Sequence, residues 1–161
     1  VTEEGTSSGG PRPGESEDER LDRNLGELLQ ELRVALPGVQ VLFAFLLAVP
    51  FQPGFDQTTT FQRSIYFGTL MLTAISTALL IAPTAYHRIT FRRKRKESLV
   101  LLGNWMALAG LSSLGLAMTG AILLVTDYLF RAWSAALAAG FAVLMFLILW
   151  YLVPVLARRE D

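Results

Sequence analysis

The chain has 161 residues, 52% of them hydrophobic and 17% charged, with 14 basic and 14 acidic side chains cancelling to a formal net charge of zero. That is more apolar and less charged than a soluble domain of this length. The absence of cysteine excludes disulfides, thiol nucleophiles and thiolate metal sites, and a single histidine argues against an internal His-based metal centre.

The first residues, VTEEGTSSGGPRPGESEDER, lack the basic start and apolar run of a signal peptide. Their Gly/Ser/Pro/Glu composition predicts a disordered tail over 1–18. Next, Leu21, Leu25, Leu28, Leu29, Leu32 and Leu36 recur at one face of a helix, opposite Arg20, Asp22, Arg23, Glu27, Glu31 and Arg33. Proline suits the first turn of a helix and disfavours helix in the residue before it. An amphipathic helix over 19–36 is therefore expected to end before Pro37, which opens a first apolar segment over 37–52.

Three further apolar segments follow at about 64–87, 98–126 and 132–157. A bilayer core of ~30 Å takes roughly 20 helical residues, and soluble helices keep a polar face that the last two segments lack. Between Arg33 and Arg88 the only charged residues are Asp56 and Arg63, and between Glu97 and Arg158 only Asp127 and Arg131. The expected fold is all-α: a four-helix transmembrane bundle over 37–157, preceded by the amphipathic helix and followed by a short end, 158–161.

The connection after the second span carries Arg88, Arg92, Arg93, Lys94, Arg95 and Lys96, while the other two connections carry one arginine each. The positive-inside rule places this loop and both termini in the cytoplasm, an N-in/C-in arrangement. Tyr86, Trp105, Trp150 and Tyr151 then fall near the inner boundary, and Phe55, Phe61, Tyr66, Tyr128 and Trp133 near the outer one. In the first outer loop Pro53-Gly54 has turn chemistry, and Thr59 with Gln62 fits a capping box for the second span. Residues 15–33 hold seven acids against three bases, on the same expected side as the basic loop. The acidic helix is expected over or near that loop, with the bare membrane surface or a partner protein as the other supports.

The runs LLQELRVALPGVQVLFAFLLAVPF, LLIAPTAYHR and LAMTGAILLVTD resemble a family of small actinobacterial membrane proteins of unknown function, over roughly residues 20–130. Members are often labelled sodium:proton antiporters. The resemblance implies a bacterial plasma-membrane protein and supplies no catalytic or binding residues.

Antiport chemistry draws on intramembrane carboxylates, and none lies inside a span. The nearest candidates are Asp127, expected to pair with Arg131 at i+4, and His87 beside Arg88. Thr69, Thr73 and Thr77 form a spacing-four row in the second span. It is open to two readings: helix-to-helix or helix-to-own-backbone hydrogen bonds, or the lining of a pore in an oligomer. Gln40 and Asn104 are isolated amides near the inner boundary. Ala109, Ser113, Ala117 and Ala121, facing Ala132, Ala136 and Gly140 with Ala135 and Ala139 alongside, are expected to form the seam between the last two helices, with self-association as the alternative. No nucleophile triad, phosphate loop or carboxylate pair is present, so no enzymatic role and no cofactor are expected. The basic loop abuts the bilayer, which favours anionic lipid headgroups over nucleic acid. The function expected is that of a non-enzymatic accessory or scaffold protein, acting with a membrane-protein partner or as a homo-oligomer. A small transporter or ion-permeation unit is the alternative.

Overall fold

The computed structural model describes residues 14–90, 96–130 and 132–157. The elements run α1 (Glu17–Ala48), two short 3-10 turns (Val49–Phe51 and Phe55–Gln57), α2 (Thr60–Thr90), α3 (Lys96–Leu129) and α4 (Ala132–Leu147). A π turn (Ile148–Leu152) then leads into α5 (Val153–Ala157). There is no strand among the described residues. Among the described residues four helical stretches are long and apolar enough to cross a membrane: Glu19–Phe51, Thr60–Tyr86, Val100–Leu129 and Ala132–Ala157. Large apolar side chains such as Phe45, Phe67, Leu116 and Phe141 are exposed around the bundle, as a lipid-facing surface requires. The fold is a four-helix transmembrane bundle.

The expected break at Pro37 is absent. α1 is a single helix of 32 residues with Pro37 inside it, roughly 48 Å long at 1.5 Å per residue. Its buried residues explain why. Leu25, Leu32, Val39 and Leu46 are all buried and seven residues apart, so one stripe runs unbroken past the proline. Pro37 and Gly38 lie on the exposed face, where the missing N–H and the displaced carbonyl of Arg33 disturb no packing.

That register also carries the first half of α1 onto its neighbours. A side chain at Gly103 would meet Leu28 at 3.0 Å and Pro83 at 3.7 Å. The leucine face predicted for a peripheral helix therefore packs on α2 and α3. Leu32, Val39, Leu80 and Ala107 form the core at this end, flanked by Leu28, Leu36, Leu111 and Leu114.

α2 and α3 share the largest interface. The buried residues of α2 are Gln62, Tyr66, Thr69, Thr73, Ser76, Leu80 and Pro83. Their spacing alternates four and three, the 3.5-residue repeat of knobs-into-holes packing. α3 answers with Gly103, Ala107, Gly110 and Ala117, buried in the same repeat. Gly110 is pressed against Leu80 so closely that an added Cβ would lie 2.7 Å from its Cδ2.

α1 begins at a capping box. Ser16 Oγ accepts from the Glu19 amide at 3.3 Å, and the Glu19 carboxylate accepts from the Ser16 amide at 2.9 Å and its hydroxyl at 2.8 Å. These bonds hold the Glu19 pKa below its ordinary value. The predicted tail is shorter at its C-terminal side than expected, since the helix already includes residues 17 and 18; residues 1–13 lie outside the described residues. At the far end of the chain the Val153 amide donates to the Ile148 carbonyl, an i to i+5 bond. Pro154 accounts for it: its ring crowds the preceding turn and it has no N–H to offer, so the helix widens by one residue.

Candidate functional site

Two ends of the bundle carry the polar groups. The loop end is built from residues 49–59, the start of α2 and the finish of α3. Gln52 to Phe55 form a turn in which the Phe55 amide donates to the Gln52 carbonyl at 3.3 Å. Gly54 takes φ 94° there, the left-handed position that a Pro-Gly turn demands. The predicted capping box is in place. The Gln62 amide donates to Thr59 Oγ1 at 3.2 Å, and Gln62 Oε1 accepts from the Thr59 amide at 3.0 Å.

Gln62 has a second task that its capping role did not advertise. Its Nε2 donates to Asp127 Oδ2 at 3.0 Å, tying the start of α2 to the finish of α3. Asp127 thus has a partner on another helix; the expected partner Arg131 lies outside the described residues. Four residues on, the buried Tyr66 donates its hydroxyl to the Leu46 carbonyl at 3.0 Å and so ties α2 to α1. Arg63 binds the loop from outside. Its guanidinium donates to the Asp56 carbonyl at 3.0 Å and to Thr58 Oγ1 at 3.2 Å, and lies 5.9 Å from the centre of the Phe55 ring. Phe55 meets Tyr66 edge-on at 5.5 Å. These contacts border a half-open cavity of about 300 Å³ walled by Val49, Gly54, Phe55, Gln62, Tyr66, Leu124 and Tyr128 among others.

Between the ends, the threonine row is spent on its own helix. Thr69, Thr73 and Thr77 donate to the carbonyls of Ile65, Thr69 and Thr73, each at 2.8 Å. Ser76 alone crosses to α3, donating to the Gly110 carbonyl at 2.8 Å. Thr69, Thr73 and Ser76 are buried against α3, so in the single chain this stripe is a packed seam rather than the wall of a channel. Gln40 and Asn104 are exposed on the bundle surface.

The small-residue rows lie only partly between α3 and α4 within the single chain. Ala117 is fully buried and Ala121 half-buried, but Ala109 is exposed, and Ser113 donates to its own helix at the Ala109 carbonyl, 2.9 Å away. On α4 the buried residues are Ala135 and Ala142, while Ala132, Ala136 and Gly140 are exposed. Four residues turn a helix by about 400°, so a spacing-four row drifts about 40° per step and leaves the interface. Closer to the π turn, Gly115 lets Phe146 and Trp150 approach α3, and Ser112 shares a hydrogen bond with Tyr151 beside a groove of about 210 Å³.

At the other end α1 begins, α2 finishes and α3 starts. Arg23 is held by Glu15 at 2.9 Å and Glu27 at 3.4 Å. Arg88 is exposed on α2. Lys96 is the first residue of α3 and His87 lies within α2; their side chains, and all of Arg92, Arg93, Lys94 and Arg95, lie outside the described residues. The fold does bring the acidic start of α1 to the end of the bundle where that basic connection leaves α2.

Sequence reasoning missed Gln62 as a cross-helix tie and Tyr66 as a buried anchor. The four-three spacing that joins both to Thr69, Thr73 and Ser76 was the available signal. No curated protein and no solved structure matches the chain. A family of unknown function, DUF6328, matches residues 14–154, and the protein belongs to that family.

Proposed function

We propose that the chain is a non-enzymatic accessory or scaffold protein of a bacterial plasma membrane, lying N-in/C-in, whose charged end meets a membrane-protein partner. The observation that carries this reading is where the reactive groups are spent. Inside the bundle the hydroxyls of α2 are bonded to helix carbonyls, which leaves them little capacity for chemistry or for lining an ion path. The charged residues gather where α1 overruns the bilayer beside the basic connection. Because the leucine face of α1 is packed on α2 and α3, its opposite face, with Asp22, Glu27, Glu31 and Arg33, is the part offered outward. The six basic residues from Arg88 to Lys96 supply the complementary contact to anionic headgroups, at up to ~1 kcal/mol each near the surface.

The test is co-purification in mild detergent. A stoichiometric membrane-protein partner is expected with the native chain and lost in the double variant Glu27→Lys/Glu31→Lys, which changes only exposed residues. Sodium-driven proton movement in proteoliposomes, abolished by Asp127→Asn, would reverse the reading in favour of transport. Orientation is checked separately. A single cysteine at Arg95→Cys should resist a membrane-impermeant maleimide in intact cells and react once they are opened.

A further inference from the structure

The half-open cavity at the loop end has a mostly apolar wall, and several of its polar side chains are already bonded within the protein. Val49, Pro53, Phe55, Leu124, Val125 and Leu129 supply an apolar wall. Gln62 is committed at its oxygen to Thr59 and at its nitrogen to Asp127. The Thr58 hydroxyl donates to the Phe55 carbonyl at 2.6 Å, and the Tyr66 hydroxyl to that of Leu46. Gln52 and Tyr128, also in the wall, have no side-chain hydrogen-bond partner among the described residues.

The space is mostly apolar and half open rather than sealed. Its volume, about 300 Å³, lies at the lower end of the range for small-molecule pockets, and an apolar wall with a few placed polar groups is their usual chemistry. Val125, Tyr128 and Leu129 are exposed on the outside of α3, so the cavity opens sideways, toward lipid, at the depth where helices give way to loop.

We propose that this cavity binds an amphiphile: one apolar chain or ring seated against Leu124, Val125 and Phe55, with a single hydroxyl or carbonyl oxygen bonded to the Tyr128 hydroxyl. The Arg63 and Gln62 ties hold the loop in place beforehand, so the site does not have to be ordered at the moment of binding. The same chemistry is available from two sources, a lipid of the bilayer or a smaller molecule dissolved in it.

The full-length chain in lipid nanodiscs is labelled with two photoreactive probes, a diazirine fatty alcohol and a phosphatidylcholine with a diazirine on one acyl chain, and adducts are mapped by mass spectrometry. Adducts concentrated at Val49, Leu124, Val125 and Tyr128, above those at the exposed Leu116 and Phe141, are expected. Enrichment by the alcohol alone assigns the site to a dissolved amphiphile, and enrichment by the phospholipid assigns it to a lipid chain; either supports the proposal. Filling the space with Leu124→Trp should abolish the enrichment while adducts at Phe141 persist. Tyr128→Phe, which leaves the cavity open, should weaken alcohol competition about fivefold, the factor for one neutral hydrogen bond. Even labelling of cavity and control positions, or enrichment that survives Leu124→Trp in a protein of native melting temperature, would overturn it.

Discussion

Gly110 is the residue on which the α2–α3 seam closes. Its added Cβ would sit 2.7 and 2.8 Å from Leu80 side-chain atoms and 3.3 Å from Leu79 Cβ, and Leu80 is fully buried with nowhere to turn. Gly110→Ala should therefore destabilise the bundle by ~1–3 kcal/mol, the usual range for overpacking. Gly38 is the internal comparison: it is helical, exposed, and an added Cβ meets nothing within 4 Å. Gly38→Ala should be neutral or stabilising by ~0.5–1 kcal/mol, through helix propensity alone. Thermal unfolding of both variants in detergent separates them. Composition could not have told these two glycines apart, because what differs is the partner across the seam. Gly120 belongs with the first, since its added Cβ would lie beside the Thr69 side chain that α2 presents there.

The fate of Pro37 turns on the helix that contains it. Local preference favours a boundary at this position, and the stripe Leu25, Leu32, Val39, Leu46 overrides it because four buried contacts in one register outweigh one missing hydrogen bond. If α1 is continuous, Pro37→Ala restores that bond on an exposed face and should raise stability by up to ~3 kcal/mol. If Pro37 instead opened a new helix, the same change would be neutral or harmful. The start of α1 responds to pH. Glu19 has its pKa lowered by the Ser16 amide and hydroxyl, so the cap's contribution is complete above the ordinary carboxylate value and is lost as pH falls through the depressed one. Amides in the first turn should exchange faster under those acidic conditions, and Ser16→Ala should bring the faster exchange at neutral pH as well. The capping pairs differ in how readable they were: Thr59 and Gln62 stand before an apolar run and were recognised, whereas Ser16 sits within the polar tail over 1–18 and Glu19 was read as the first helical residue rather than as its capping partner.

Across the assembled bundle, the testable claim is register. Leu28 and Pro83 both lie against Gly103, so the charged half of α1 is part of the packed body. The chain has no native cysteine. Leu28→Cys combined with Gly103→Cys should be joined efficiently by a short thiol crosslinker in native membranes, while Gln40→Cys, on the exposed face, should not be joined to the same partner. A helix lying loose on the membrane surface would show no such preference.

Hydropathy along the chain was enough to establish the all-α class, the number of apolar helices, the turn at Pro53-Gly54 and the cap at Thr59, because each depends on length, composition or neighbours within a few residues. The polar character of α2 was equally plain. Which groups those side chains would satisfy was not, because carbonyls on the same helix and on α3 compete for one hydroxyl and the winner depends on how closely the backbones approach. The continuity of α1, the burial of Ala135 and Ala142 in place of Ala136 and Gly140, and the Gln62–Asp127 tie were settled by packing. A stripe that drifts by tens of degrees at every step acquires an inside and an outside only when a neighbouring helix lies along it.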